Sequence, residues 1–138
     1  MPGIDVDKLS PLDKAEQGAW MLVYHPVTGD LLTYETPEGE TKPCRMKYLG
    51  ADSKKIRKMQ HKYNNALVKA AAMGRASDEV EDRNLELAIA ACVDMEGFGS
   101  EGRLWPYNET YVKSLHEKLP WLVDQAIAFI NKVEPFLD

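Results

Sequence analysis

Cysteine is nearly missing from this 138-residue chain. Cys44 and Cys92 are the only two, too few for a disulfide framework or a cysteine-built zinc site, and both are expected as ordinary buried or half-buried thiols. Histidine is almost as sparse. His25, His61 and His116 stand at no metal-ligand spacing from another ligand, and neither HExxH nor a paired CxxC occurs. No GxSxG elbow, Walker loop or GxGxxG is present, and the glycines at 97, 99 and 102 read as a flexible loop rather than a phosphate cradle. No apolar run approaches the roughly 18 residues of a membrane span. The opening MPGIDVDKLSPLDKAEQG lacks both the basic lead and the apolar stretch of a secretory signal. The expectation is a cytoplasmic chain with no metal, no cofactor and no enzymatic constellation.

What is there suits a packed domain. A chain of this length buries about 68% of its unfolded surface, and 44% hydrophobic with 28% charged residues is ordinary for a globular protein. Net charge is −5, but its distribution says more than its sum. Residues 1–41 carry −6, residues 42–75 carry +9 and residues 76–138 carry −8, so a basic block lies between acidic ends.

Along the chain, residues 1–18 mix Asp, Lys, Pro and Gly with scattered apolar positions, predicting a flexible arm with at most one helical turn from Pro11 to Gln17. Residues 19–138 then form a single α+β domain. AWMLVYH and DLLTYET around Pro26-Val27-Thr28-Gly29 predict a hairpin, and TKPCRMKYL a third strand. Residues 19–49 thus read as a three-stranded antiparallel meander. Within it Trp20, Leu22 and Tyr24 share one face, Met21 and Val23 the other.

About four helices over 52–138 are expected to pack on or beside this sheet. The first, about 30 Å long, carries Ile56, Met59, Tyr63, Leu67 and Ala70 on one stripe. The second is capped by Ser77, begins with Asp78, Glu79, Glu81 and Asp82, and buries Leu85, Ala88, Ile89, Cys92 and Met95 before Gly97 ends it. Asn108 caps the third, and Pro120 suits the first turn of the fourth.

Two surfaces stand out. Basic residues spread over 54–69 are the footprint of nucleic-acid binding, although Lys dominates and the helix has only Arg57 for bidentate base contacts. A solvated helix face or an acidic partner explains the same charge. Trp105 and Trp121 lie beside prolines at a loop and a corner, where aromatic rings serve either packing or protein docking.

The stretches VYHPVTGDLL, YLGADSKKIRKMQHKYNNALVKA and WPYNETYVKSLHEKLPWLVDQAIAFI, with the ending EPFL, carry a resemblance. Together they are similar to small tail-assembly proteins of long-tailed bacteriophages and prophages. The matching features are Pro26, Thr28 and Gly29 in the hairpin, Gly50, Asp52 and Ser53 before the basic helix, and Pro106, Tyr107, Asn108 and Tyr111 ahead of the helix pair. His25 replaces the family's acid before the proline, Met95 and Phe98 stand where a Trp is common, and Tyr107 replaces a Phe. The resemblance implies a non-enzymatic chaperone that binds the tape-measure protein and hands over to the tail-tube protein. On that reading Trp105, Trp121, Phe129 and Phe136 are the expected apolar contacts and Lys54, Lys58 and Lys62 a charged rim. The alternative is a nucleic-acid-associated protein using residues 54–69.

Overall fold

A computed structural model describes residues 3–74 and 76–137, with the side chains at positions 70 and 76–81 outside the description. The cap expected at Ser77 and the acids Asp78, Glu79 and Glu81 therefore lie outside the described residues, as does the packing of Ala70.

The architecture is α+β, but its sheet is not the N-terminal meander. Strand β1 (Ala19–Leu22) pairs antiparallel with β4 (Arg45–Tyr48), and β4 pairs antiparallel with β5 (Cys92–Glu96), giving the order β1-β4-β5. The expected hairpin turn is present, because His25 accepts the N–H of Gly29 and Tyr24 bridges Leu31. Beyond that point β2 (Thr33–Glu35) leaves β1 and pairs with β3 (Thr41–Pro43) as a separate ribbon. The third strand of the main sheet comes instead from CVDME, which helical spacing had assigned to the end of a helix.

A β-bulge explains that substitution. Lys47 faces Asp94 but Tyr48 faces Cys92, so Val93 is an extra residue in β5. Because of it, Met95 and Cys92, three apart, both turn inward opposite Met46 and Tyr48. Lys47, Asp94, Arg45 and Glu96 lie on the other face, where Arg45 donates from Nε and Nη2 to the Glu96 carboxylate at 2.7 and 3.1 Å.

The four expected helices form as α3 (Lys54–Ala72), α4 (Ala76–Ala91), α5 (Glu109–Lys118) and α6 (Pro120–Ile130). Asn108 caps α5 by accepting the Tyr111 N–H at 2.9 Å, and Pro120 opens α6 at a position that needs no N–H. Their inner residues, among them Ile56, Ala88, Val112, Leu122, Ala126 and Ile130, close on Met21, Val23, Met46 and Tyr48 as one core. A short two-stranded ribbon, β6 (Gly99–Ser100) with β7 (Arg103–Leu104), occupies the loop before α5.

The loose arm expected over residues 1–18 divides in two. Helix α1 (Val6–Leu9) buries nothing, whereas α2 (Leu12–Gln17) is docked through the fully buried Ala15. Ala15 packs with Ala19 and Phe136 of the terminal 3-10 turn (Glu134–Phe136), and the Gly50 N–H donates to the Ala15 carbonyl. Gly50 has no side chain to lose there: a Cβ would stand 2.9 Å from Ala15 Cβ and 3.2 Å from the Phe136 ring.

Candidate functional site

An open groove of about 520 Å³ lies between β1 and α6. Its walls are Met21, Leu22 and Tyr24 from β1 and the residues just after it, and Gln125, Ala128, Phe129 and Lys132 from α6 and its end. Two-residue periodicity in the strand puts the buried Met21 and the half-exposed Leu22 and Tyr24 on opposite faces. Helical spacing brings Gln125, Ala128, Phe129 and Lys132 along one side of α6. The lining is mainly apolar, with one cation at Lys132 and one amide at Gln125. That amide is committed: Tyr24 N–H donates to Gln125 Oε1 at 3.1 Å, and Gln125 Nε2 donates to the Tyr24 carbonyl at 2.8 Å.

Of the expected contact residues, only Phe129 lines this groove. Its half-buried ring stands 6.5 Å from Tyr48 and 5.6 Å from Phe136, centroid to centroid. Phe136 is a correction. It is 2% exposed, enclosed by Ala15, Ala19 and Phe129, so it holds the chain end and offers no surface. Trp121 is half-buried against the main core. Trp105 is half-buried too, stacked on Tyr111 at 4.9 Å with Lys118 Nζ 6.0 Å from its ring. Neither tryptophan is a wall of the groove. Leu22, Tyr24, Gln125, Ala128 and Lys132 were missed by sequence reasoning, although the period-two pattern did place Leu22 and Tyr24 on the face opposite Met21.

Lys54, Lys58 and Lys62 are exposed, and among the described residues none of them makes an ion pair. Lys54 and Lys58 line a shallow depression with Arg57, Gln60, His61 and Asn64, which shares no lining residue with the groove. They are not its rim. Tyr63 and Glu86 tie α3 to α4 through a 2.8 Å hydrogen bond, and Arg83 donates to the Tyr63 carbonyl.

The groups able to do chemistry are mostly committed to structure. His116 is fully buried. Its Nδ1 lies 2.7 Å from the Val112 carbonyl, which can only accept, so Nδ1 carries the proton and Nε2 accepts from Tyr48 Oη at 2.8 Å. Burial lowers the imidazole pKa, the Val112 hydrogen bond opposing it, and burial raises the Tyr48 phenol well above its ordinary value. Both shifts favour the neutral rings. The Cys92 thiol, donating to the Asp94 carbonyl, is pushed up to about 12 by burial, and Cys44 is raised for the same reason. His25 Nδ1 accepts the N–H groups of Val27 and Thr28 and so shapes the hairpin turn. Among the described residues no group of three or more His, Cys, Asp or Glu could hold a metal, and no helix is long and apolar enough to cross a membrane.

Comparison of the chain with protein-family models, with curated proteins and with solved structures finds no match.

Proposed function

We propose that the chain is a non-enzymatic tail-assembly chaperone of a long-tailed bacteriophage or prophage, working in the host cytoplasm by holding another tail protein, the tape-measure or tail-tube protein. The observation that carries this reading is the open apolar groove along α6, with Phe129 as its inner wall and Lys132 at its border. Such a surface takes up an apolar polypeptide segment and leaves it chemically unchanged. The resemblance carried by the hairpin, the Gly50-Ala51-Asp52-Ser53 cap and the α5–α6 pair supplies the class of partner.

The test is calorimetric binding to fragments of the tape-measure and tail-tube proteins encoded beside this gene. Binding is expected, changing little with salt and weakening at least about tenfold, or 1.4 kcal/mol, in Ala128→Arg. Ala128 is exposed on α6, and Arg is nearly as good a helix former as Ala. Binding that ignores this substitution removes the groove from the proposal. Neighbouring genes for metabolic enzymes rather than tail components would remove the partner.

A second reading rests on the exposed cations Lys54, Lys58 and Lys62 of α3, which make no ion pair among the described residues. If they hold nucleic acid, binding weakens linearly in log salt, with a slope of about 0.9 per phosphate neutralised on duplex DNA.

A further inference from the structure

Strand β1 is an edge. It pairs with β4 on one side only. The Val23 N–H donates to the Cys44 carbonyl, so residues of its parity face β4, and Trp20, Leu22 and Tyr24 turn their N–H and C=O groups outward. At Tyr24 the outward pair is satisfied by the Gln125 amide, which gives and takes one hydrogen bond as a strand residue does. At Trp20 and Leu22 nothing among the described residues pairs with the outward edge, and the groove runs beside Leu22.

The chain carries a segment of matching chemistry. Ile4-Asp5-Val6-Asp7 alternates apolar and acidic residues, the pattern of a strand with one face buried. Yet Ile4 is 77% and Val6 74% exposed, and the four-residue helix that Val6 opens buries nothing. A helix so short contributes little that strand formation would forfeit. Laid along β1, the segment points Ile4 and Val6 toward Met21 and Phe129. Asp5 and Asp7 then fall on the outer face, where Lys47 leans over Trp20 at 5.7 Å from its ring.

We propose that residues 4–7 of a second copy of this chain add as a strand to the open edge of β1, so that two molecules associate by exchanging their N-terminal arms. The root of each arm is fixed, because α2 is pinned by Ala15 against Phe136, and each molecule holds its arm outside its own groove. Reciprocal exchange satisfies both halves and closes as a dimer. The pairing supplies main-chain hydrogen bonds for the edge and apolar cover for the groove.

The experiment is light scattering after size exclusion on the full chain over a wide concentration range, with Val6→Asp and Ala128→Arg, both at exposed sites. The parent mass is expected to rise from 15.6 kDa toward twice that value. Each variant alone should stay monomeric with an unchanged melting curve. Mixed together they should associate, more weakly than the parent, since the mixture contains one intact arm and one intact groove. A parent that is monomeric throughout, association that survives either variant, or a mixture that fails to pair would each overturn the proposal. The groove is also the surface assigned above to a tail protein, so the two occupants exclude one another. Self-association needs no tail protein, and loss of either proposal leaves the other standing.

Discussion

The main core and the small cluster where the two ends of the chain meet are both apolar, yet they are closed differently. The main core gathers residues from the sheet and four helices and has a buried polar link, Tyr48 to His116 to the Val112 carbonyl, through its centre. The end cluster has three buried members, Ala15, Ala19 and Phe136, with Phe129 on its border and no buried side-chain hydrogen bond of its own. A core of the first kind fixes one arrangement, because misplacing any element leaves a buried polar group without a partner. The second kind is a latch, held by apolar contact and by main-chain bonds such as Gly50 N–H to the Ala15 carbonyl, and able to open locally.

The largest expected effect strikes the first region. Leu122 is fully buried in α6, and Leu122→Ala should cost about 2–5 kcal/mol, read as a lower urea midpoint for the whole molecule. Tyr48→Phe keeps the ring and deletes the hydroxyl that His116 Nε2 needs. It should cost about 1–3 kcal/mol, and a cost near zero would mean that the polar link does not distinguish the two regions.

The same link sets a pH dependence. Burial holds the His116 pKa below its ordinary 6.5, so the unfolded chain takes up a proton more readily than the folded one. The contribution to stability is complete above about 6.5 and shrinks as pH falls below it. Urea midpoints at about pH 7.5 and about pH 5.5 should differ in that sense, and the difference should narrow in His116→Gln.

Phe136→Ala probes the latch. Amide exchange should accelerate at Gly18 and Gly50, whose N–H groups bond to Lys14 and Ala15, while exchange in β4 is unchanged. If β4 exchange accelerates equally, the two clusters are one cooperative unit. Smallest of all, Lys58→Glu on the exposed face of α3 should move stability by no more than about 0.5 kcal/mol.

The elements with local signals were legible in the sequence. Asn108, Pro120 and the turn at Pro26–Gly29 act within a few residues of themselves, so their chemistry is readable along the chain. Strand β5 was not, because the bulge at Val93 gives Cys92 and Met95 the inward spacing of three that a helix also produces. What decides between the two is pairing with β4, more than forty positions away, and no local pattern contains it. The site followed the same rule. Phe129 was expected as an apolar contact only through the resemblance, and the groove exists because β1 and α6 lie side by side. Phe136 was misassigned because the arm that buries it is distant in sequence.

Gln125 has a consequence of its own. By occupying the outward hydrogen bonds of Tyr24, it acts as an end-stop on the β1 edge. A newcomer can slide no farther than Leu22, so its frame is dictated by the helix before its own side chains are compared. Replacing that one amide with a methyl group would lengthen the berth by a residue pair and let mismatched strands settle there.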